Sequence, residues 1–197
     1  MNKIFRMTML FCLAGLSAFA ADPVPAVSVK EHQAAITRAL TEHRTAVLTL
    51  DLKKMLTLCS KNYRETTRDG RLLTYGDFLK IAKAFDLLRS SDDLETVMEN
   101  AMIIQNEKLN DRRKEYISSL KKTAKARETI ENMRKKLDEL TAAGGAAAQY
   151  IRVSDIRIDG EKAFAVCELQ LPDDPEPYRC CYELILHRGQ WLIQQVK

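Results

Sequence analysis

The sequence predicts an α+β domain in which N-terminal helices pack on an antiparallel sheet built from the C-terminal quarter. Three observations carry that expectation. Apolar residues recur at helical spacing between Val29 and Leu50. The segment from Ser91 to Ala143 holds no proline or glycine and is rich in Ala, Leu, Glu, Lys and Arg, which favours helix. From about Tyr150 onward the chain reads as two hairpins, with turn dipeptides at Asp159-Gly160 and Arg188-Gly189.

The first twenty residues stand apart from this domain. Lys3 and Arg6 precede the apolar run MTMLFCLAGLSAF, and Ala18-Phe19-Ala20 supplies a small-x-small cleavage site. That order predicts a secretory signal over residues 1–20 and an exported chain, periplasmic or secreted. The apolar run is too short to span a bilayer, so no transmembrane segment is expected in the mature chain. Without Lys3 and Arg6, 29 basic residues face 27 acidic ones, a net charge of +2. Such a balance leaves no global electrostatic footprint for a polyanion, which excludes a nucleic-acid partner. Residues 21–197 suit one domain with its own core.

In chain order, Ser28 is placed to cap a helix from Val29 to Leu50 with Ile36, Leu40 and Val47 on its apolar stripe and His43 inside it. DLKKMLTLCS continues as a short second helix through Leu52, Met55, Leu56 and Cys59. Tyr63 to Thr67 reads as a strand, Asp69-Gly70 as a turn, and Thr74 as the cap of a helix carrying Phe78, Leu79, Ile81, Ala82 and Phe85. Residues 90–145 are expected to be one long helix, about 75 Å if unbroken, or a helical hairpin interrupted at QNEKLND. TAAGG is the expected stop, and Tyr116, Leu120, Ala124, Ile130, Met133, Leu137 and Leu140 form a narrow apolar stripe.

With two-residue turns in both hairpins, Leu186 lies opposite Trp191, Leu184 opposite Ile193 and Val153 opposite Val166. The loop PDDPEP leaves the middle register open by one residue. Placing Val166 opposite Tyr182 and Phe164 opposite Leu184 gathers Ile151, Val153, Phe164, Val166, Tyr182, Leu184, Leu186, Trp191 and Ile193 on one core face. The other face then carries Arg152, Ser154, Ile156, Cys181, Glu183, Ile185, Leu192 and Val196 among others. It is too apolar for open water and too polar for a dry core, which points to a contact with the helical segment or a second subunit.

Chemistry-bearing residues are few. His43 on the helix stripe faces the region of Tyr63, and Glu168 falls on the core face in the chosen register, where burial would raise its pKa. With Trp191 they make a candidate pocket: His43, Tyr63, Glu168 and Trp191. No catalytic residue is assigned. Cys167 and Cys181 come out directly opposite, which makes a cross-strand disulfide geometrically open, while Cys180 faces the side where Cys59 could meet it. Adjacent Cys180 and Cys181 point to opposite faces, no spacing suits a metal, and no cofactor is expected. Between Glu107 and Lys136 there are 11 basic and 5 acidic residues, a local excess that suits an acidic protein partner.

The order of these elements resembles the NTF2-like superfamily, in particular its DUF4440 or SnoaL-like branch. The resemblance rests on YRETTRDGRLLT before a threonine-capped helix, on IDGEKAFAV, and on HRGQWLI in the final hairpin, over residues 28–88 and 149–197. Residues 90–145 are then a helical insertion. The resemblance implies a cone in which a curved sheet wraps around helices, frequent dimerisation through the sheet's other face, and members that are either small-molecule enzymes or non-enzymatic modules. The expected function is an exported, non-catalytic binding or protein-interaction module, a homodimer with room for a small apolar ligand. An isomerase or hydro-lyase using Tyr63, His43 or Glu168 is the alternative.

Overall fold

Helix starts follow the local chemistry of the chain. In the computed structural model, which describes residues 28–197 except 68, 108, 109, 122, 124, 173 and 175, the Ser28 hydroxyl accepts from Glu31 N and the Glu31 carboxylate accepts from Ser28 N. This capping box opens α1, Val29–Leu48. The expected signal over residues 1–20, with Cys12, lies outside the described residues, as does Ala124. Asp51 caps α2, Leu52–Thr57. Thr74 and Asp77 form a second capping box at α3, Tyr75–Ser90, and Asp93 caps α4, Leu94–Ile104.

Residues 90–145 are neither one helix nor a hairpin. Three helices fill this stretch: α4, α5 at Asp111–Lys121 and α6 at Lys125–Ala147. The first break falls within QNEKLND, where Asn106 takes a positive φ and Asn110 Oδ1 accepts from Arg113 N. The second falls at Thr123, whose hydroxyl accepts from Lys125 N. Lys121 bridges to Asp93 and Glu95, and Arg134 donates to Ser91 O and pairs with Asp92, so α5 and α6 are tied to the start of α4. Only part of the narrow stripe is buried: Ile130 and Leu137 are, whereas Tyr116 and Leu140 are exposed. Gly144 and Gly145 do not stop α6. A Cβ at Gly144 would sit 1.8 Å from the Leu48 carbonyl oxygen, so this glycine is where α6 crosses the end of α1 backbone to backbone.

Six strands form one sheet: β1 Cys59–Thr66, β2 Leu72–Thr74, β3 Ile151–Asp159, β4 Lys162–Leu169, β5 Tyr178–His187 and β6 Gln190–Val196. Their order is β2-β1-β6-β5-β4-β3, and β1 runs parallel to β6, so the sheet is mixed and not wholly antiparallel as expected. Ile193 N donates to Leu58 O at that junction. Cys59 belongs to β1, not to the preceding helix.

The final hairpin has the expected register, with Leu186 opposite Trp191 and Leu184 opposite Ile193. The middle register is one residue away from the expected one. Ala165 lies opposite Tyr182, Ala163 opposite Leu184 and Cys167 opposite Cys180. Phe164 therefore leaves the core and stands 46% exposed on the outer face, with Val166 and Glu168 on that side too. Small residues face large ones across this pair, which leaves room for the helices above; Phe164 against Leu184 would not.

Two bulges complete the core face. In β3 the register shifts between Ser154 and Arg157, with Asp155 at φ 52°. The bulge lets Ile151 and Val153 before it, and Ile156 and Ile158 after it, all pack against the core. In β6 the shift opposite Glu183 and Leu184 does the same for Trp191 and Ile193 against Val196, which is buried and not on the outer face. Each bulge bends its strand and increases its twist. The result is the expected α+β class, with helices packed on a curved sheet.

Candidate functional site

The strongest concentration of unusual side chains lies where α1 crosses the middle of the sheet. The stripe Ile36, Leu40 and His43 buries one face of α1, and Arg44 follows His43 into the interior. Alternation along β1 puts Tyr63 and Glu65 on one side of that strand, the former buried and the latter half-buried. Alternation along β5 does the same for Cys180 and Tyr182. Opposite Tyr182 stands Ala165, and the space an alanine leaves is taken by aromatic rings.

His43 is 1% exposed between two tyrosines, edge-to-face with Tyr182 at 5.6 Å and tilted against Tyr63 at 5.8 Å. Phe78 from α3 packs edge-on to Tyr63 at 5.5 Å. The Tyr63 hydroxyl donates to Glu65 Oε2 at 2.6 Å, which commits its proton. His43 Nε2, 3.4 Å from the same hydroxyl, must then be the protonated nitrogen and donate to it. Nδ1 is left as a buried acceptor with no partner among the described residues, and the Tyr182 hydroxyl is likewise buried and unpartnered.

Burial, helped by the charge of Arg44, lowers the His43 pKa to about 3. Burial raises Tyr63 far above its ordinary value, and the Glu65 charge adds to this. Tyr182 is also raised by burial, against the pull of Arg44. The tyrosines and His43 are therefore neutral near pH 7. A histidine so reluctant to accept a proton is a poor general base, since an effective one titrates near the working pH.

The expected pocket residues are divided by the fold. His43 and Tyr63 meet. Glu168 does not join them: the shifted register turns it to the outer face, where it pairs with Arg179 at 2.6 Å. Trp191 is on the core face but at the other end of α1, where its Nε1 donates to His32 Nδ1 at 3.1 Å. His32, half-buried at the start of α1, thus anchors that end of the helix to the sheet. Glu65, Arg44 and Tyr182 were not anticipated as site residues. Glu65 is legible once Tyr63 is, because residues two apart share a strand face. Arg44 carries no such signal, since a helical arginine is ordinarily solvated.

The Cys167–Cys181 disulfide is excluded by the same register. Cys167 faces Cys180, Cys181 is exposed on the opposite face, and all four cysteines from Cys59 onward are free. Burial pushes the Cys167 thiol up to about 11 and raises Cys59 and Cys180 as well. At most one thiol, Cys181, is expected to react with a thiol reagent in the native chain beginning at residue 21, and the other three only after unfolding. Fast reaction of two or more native thiols would contradict this register.

Open space lies elsewhere. An open apolar groove of about 360 Å³ between α3, α4 and α6 is lined by Phe85, Leu88, Met133, Lys136, Leu137 and Leu140. A depression of about 490 Å³ on the outer sheet face is bounded by Asp155, Arg157, Phe164 and Lys197. Neither is lined by His43 or Tyr63. Among the described residues no group of three or more His, Cys, Asp and Glu is placed to hold a metal ion, and no helix is long and apolar enough to cross a membrane.

No protein-family model matches the chain, and no curated protein matches it. Solved structures similar to it include an NTF-2 like protein of unknown function from Silicibacter pomeroyi DSS-3, at 13% identity over 86% of this chain and 95% of that one, with a TM-score of 0.44. An NTF2-like protein of unknown function from Shewanella baltica OS155 is similar at 12% identity over 86% and 93%, with a TM-score of 0.40. A de novo designed protein with a curved β-sheet is similar at 11% identity over 86% and 96%, with a TM-score of 0.36.

Proposed function

We propose that this chain is a non-catalytic binding or protein-interaction module of NTF2-like type, exported and self-associating. The observation that carries the first part is the filled interior. Tyr63, Tyr182, Phe78 and His43 interlock under α1, and the one histidine among them holds its pKa near 3. An isomerase or hydro-lyase would need an acid or base facing substrate at that place. Export is supported by the leader read in residues 1–20, and membership of the DUF4440 or SnoaL-like branch by the motifs at residues 63–74, 158–166 and 187–193. In this reading residues 90–145 are an added helical cap that offers its basic face to a protein partner, and the apolar groove lined by Met133 and Leu137 suits a small apolar ligand.

Self-association is assigned to the outer sheet face. Phe164 stands exposed there, beside the half-buried Val166, Ile185 and Leu192 and the exposed Cys181. An apolar strip of this kind, rimmed by Arg157, Glu183 and Lys197, is suited to a second sheet. Light scattering should give twice the chain mass for the wild type and the single-chain mass for Phe164→Glu, with the thermal midpoint of the fold little changed. A wild-type monomer at tens of micromolar would sink the dimer.

A further inference from the structure

We propose that Arg44 is the receiving group of a binding site for a small monoanionic carboxylate, between α1 and the adjoining ends of β4 and β5, with the Tyr178 ring as its cover. The proposal deepens the binding-module reading and rests on it. Arg44 is only 8% exposed, yet no carboxylate of the described residues lies within ion-pair distance of its guanidinium. Its contact is the face of the Tyr178 ring, whose centroid is 4.8 Å from Cζ. Buried charges in proteins are otherwise paired, and a ring face returns only part of the lost hydration.

The surroundings repeat the same deficit. The groups acting electrostatically on Arg44 are Tyr182, Cys180, Tyr178 and Cys167, every one a hydroxyl or thiol. Burial keeps all four in their protonated forms, so they add donors and no anion. The Tyr182 hydroxyl is buried without a partner, and the nearby acceptor His43 Nδ1 takes no hydrogen bond from any of them. Among the described residues, what this place lacks is an acceptor with one negative charge. A carboxylate matches the planar fork of a guanidinium, whereas a dianion would be left with an uncompensated charge beside a single cation.

Access is set by Tyr178. It is the first residue of β5, directly after the connection from Gln170 to Pro177, and it is 43% exposed. Swinging its ring aside would open the guanidinium further, at the loss of the ring-face contact.

Acetate, benzoate and inorganic phosphate serve as probes, with sodium chloride at matched ionic strength as control. Differential scanning fluorimetry follows wild type, Arg44→Met and Tyr178→Ala, and NMR of each mixture records whether the probe is altered. The wild-type midpoint should rise by about 5 °C at a hundredfold excess of benzoate or acetate over its Kd. Phosphate, held at a pH above its second pKa so that it is mainly the dianion, and chloride should leave it unchanged. Arg44→Met should melt higher than wild type in chloride, because it removes a buried unpaired charge, and should lose the carboxylate response. Tyr178→Ala should keep the response and reach half-saturation at a lower concentration. No carboxylate response in wild type, a response retained in Arg44→Met, or a response to phosphate alone would overturn the site and leave the dimer face untouched. A carboxylate that binds and is chemically converted would instead overturn the non-catalytic reading while the site stands.

Discussion

Gly144→Ala is expected to destabilise the chain by on the order of 3 kcal/mol or more, while Gly145→Ala next to it should be neutral or stabilising. The two glycines are adjacent on one helix, so helix propensity predicts the same modest gain for both, about 1 kcal/mol. Their surroundings reverse the sign at one of them. A Cβ at Gly144 would stand 1.8 Å from Leu48 O and 2.5 Å from Leu48 C, and both atoms are backbone with no rotamer to yield. At Gly145 the nearest atom is the Thr49 methyl at 3.9 Å, an ordinary contact. Relieving the clash requires α6 to lift from the end of α1, and Ile130 and Leu137 on the buried side of α6 would be drawn with it. Urea unfolding of the two variants against wild type reads the difference directly. Equal midpoints for both would mean that α6 does not cross α1 at this point, and the helical cap would have to be placed elsewhere.

The same glycines show why part of the fold was legible and part was not. Signals that act within four residues were readable: the Ser28 and Thr74 caps, the turns near Gly70, Gly160 and Gly189, and the break at QNEKLND all appear where local chemistry puts them. Gly144 was read as a helix stop because its role depends on Leu48, nearly a hundred residues earlier. Two of the strand errors had a visible cause. The apolar positions 151, 153, 156 and 158 change phase after Val153, and 191, 193 and 196 change phase after Ile193. Strict alternation sent Ile156 and Val196 outward, whereas a bulge in each strand brings both phases to the core. Choosing the middle register so that the apolar residues gather on one face makes Phe164 and Val166 core residues. The fold uses Ala163, Ala165 and Cys167 there because Tyr182, Leu184 and His43 need the volume. Placement of the candidate residues followed that slip: His43 and Tyr63 meet because neither depends on it, while Glu168 and the Cys167–Cys181 pair do depend on it and are turned apart.

Stability should fall steeply on mild acidification because of His43 alone. Its folded pKa of about 3 lies well below the value of 6.5 for an exposed histidine. Between those values the unfolded chain holds a proton at this position that the folded chain does not. Protons therefore favour unfolding, and the stability present above about pH 6.5 is lost progressively as pH falls toward 3. The loss approaches 1.4 kcal/mol per pH unit, about 2 kcal/mol between pH 6.5 and 5 and on the order of 4 kcal/mol over the whole window. Depressed carboxyls such as Asp77 and Asp93, the latter at about 2, add their own losses only below the ordinary carboxyl range. Urea unfolding at pH 6.5, 6, 5.5 and 5 isolates the histidine. His43→Gln, which keeps a donor and an acceptor without a titrating group, should flatten the profile in that interval. A wild-type stability that does not change from pH 6.5 to 5 would mean that His43 takes up a proton inside the folded chain at little cost. It would then be free to act as a base beside Tyr63, and the enzymatic reading of this interior would displace the one argued above.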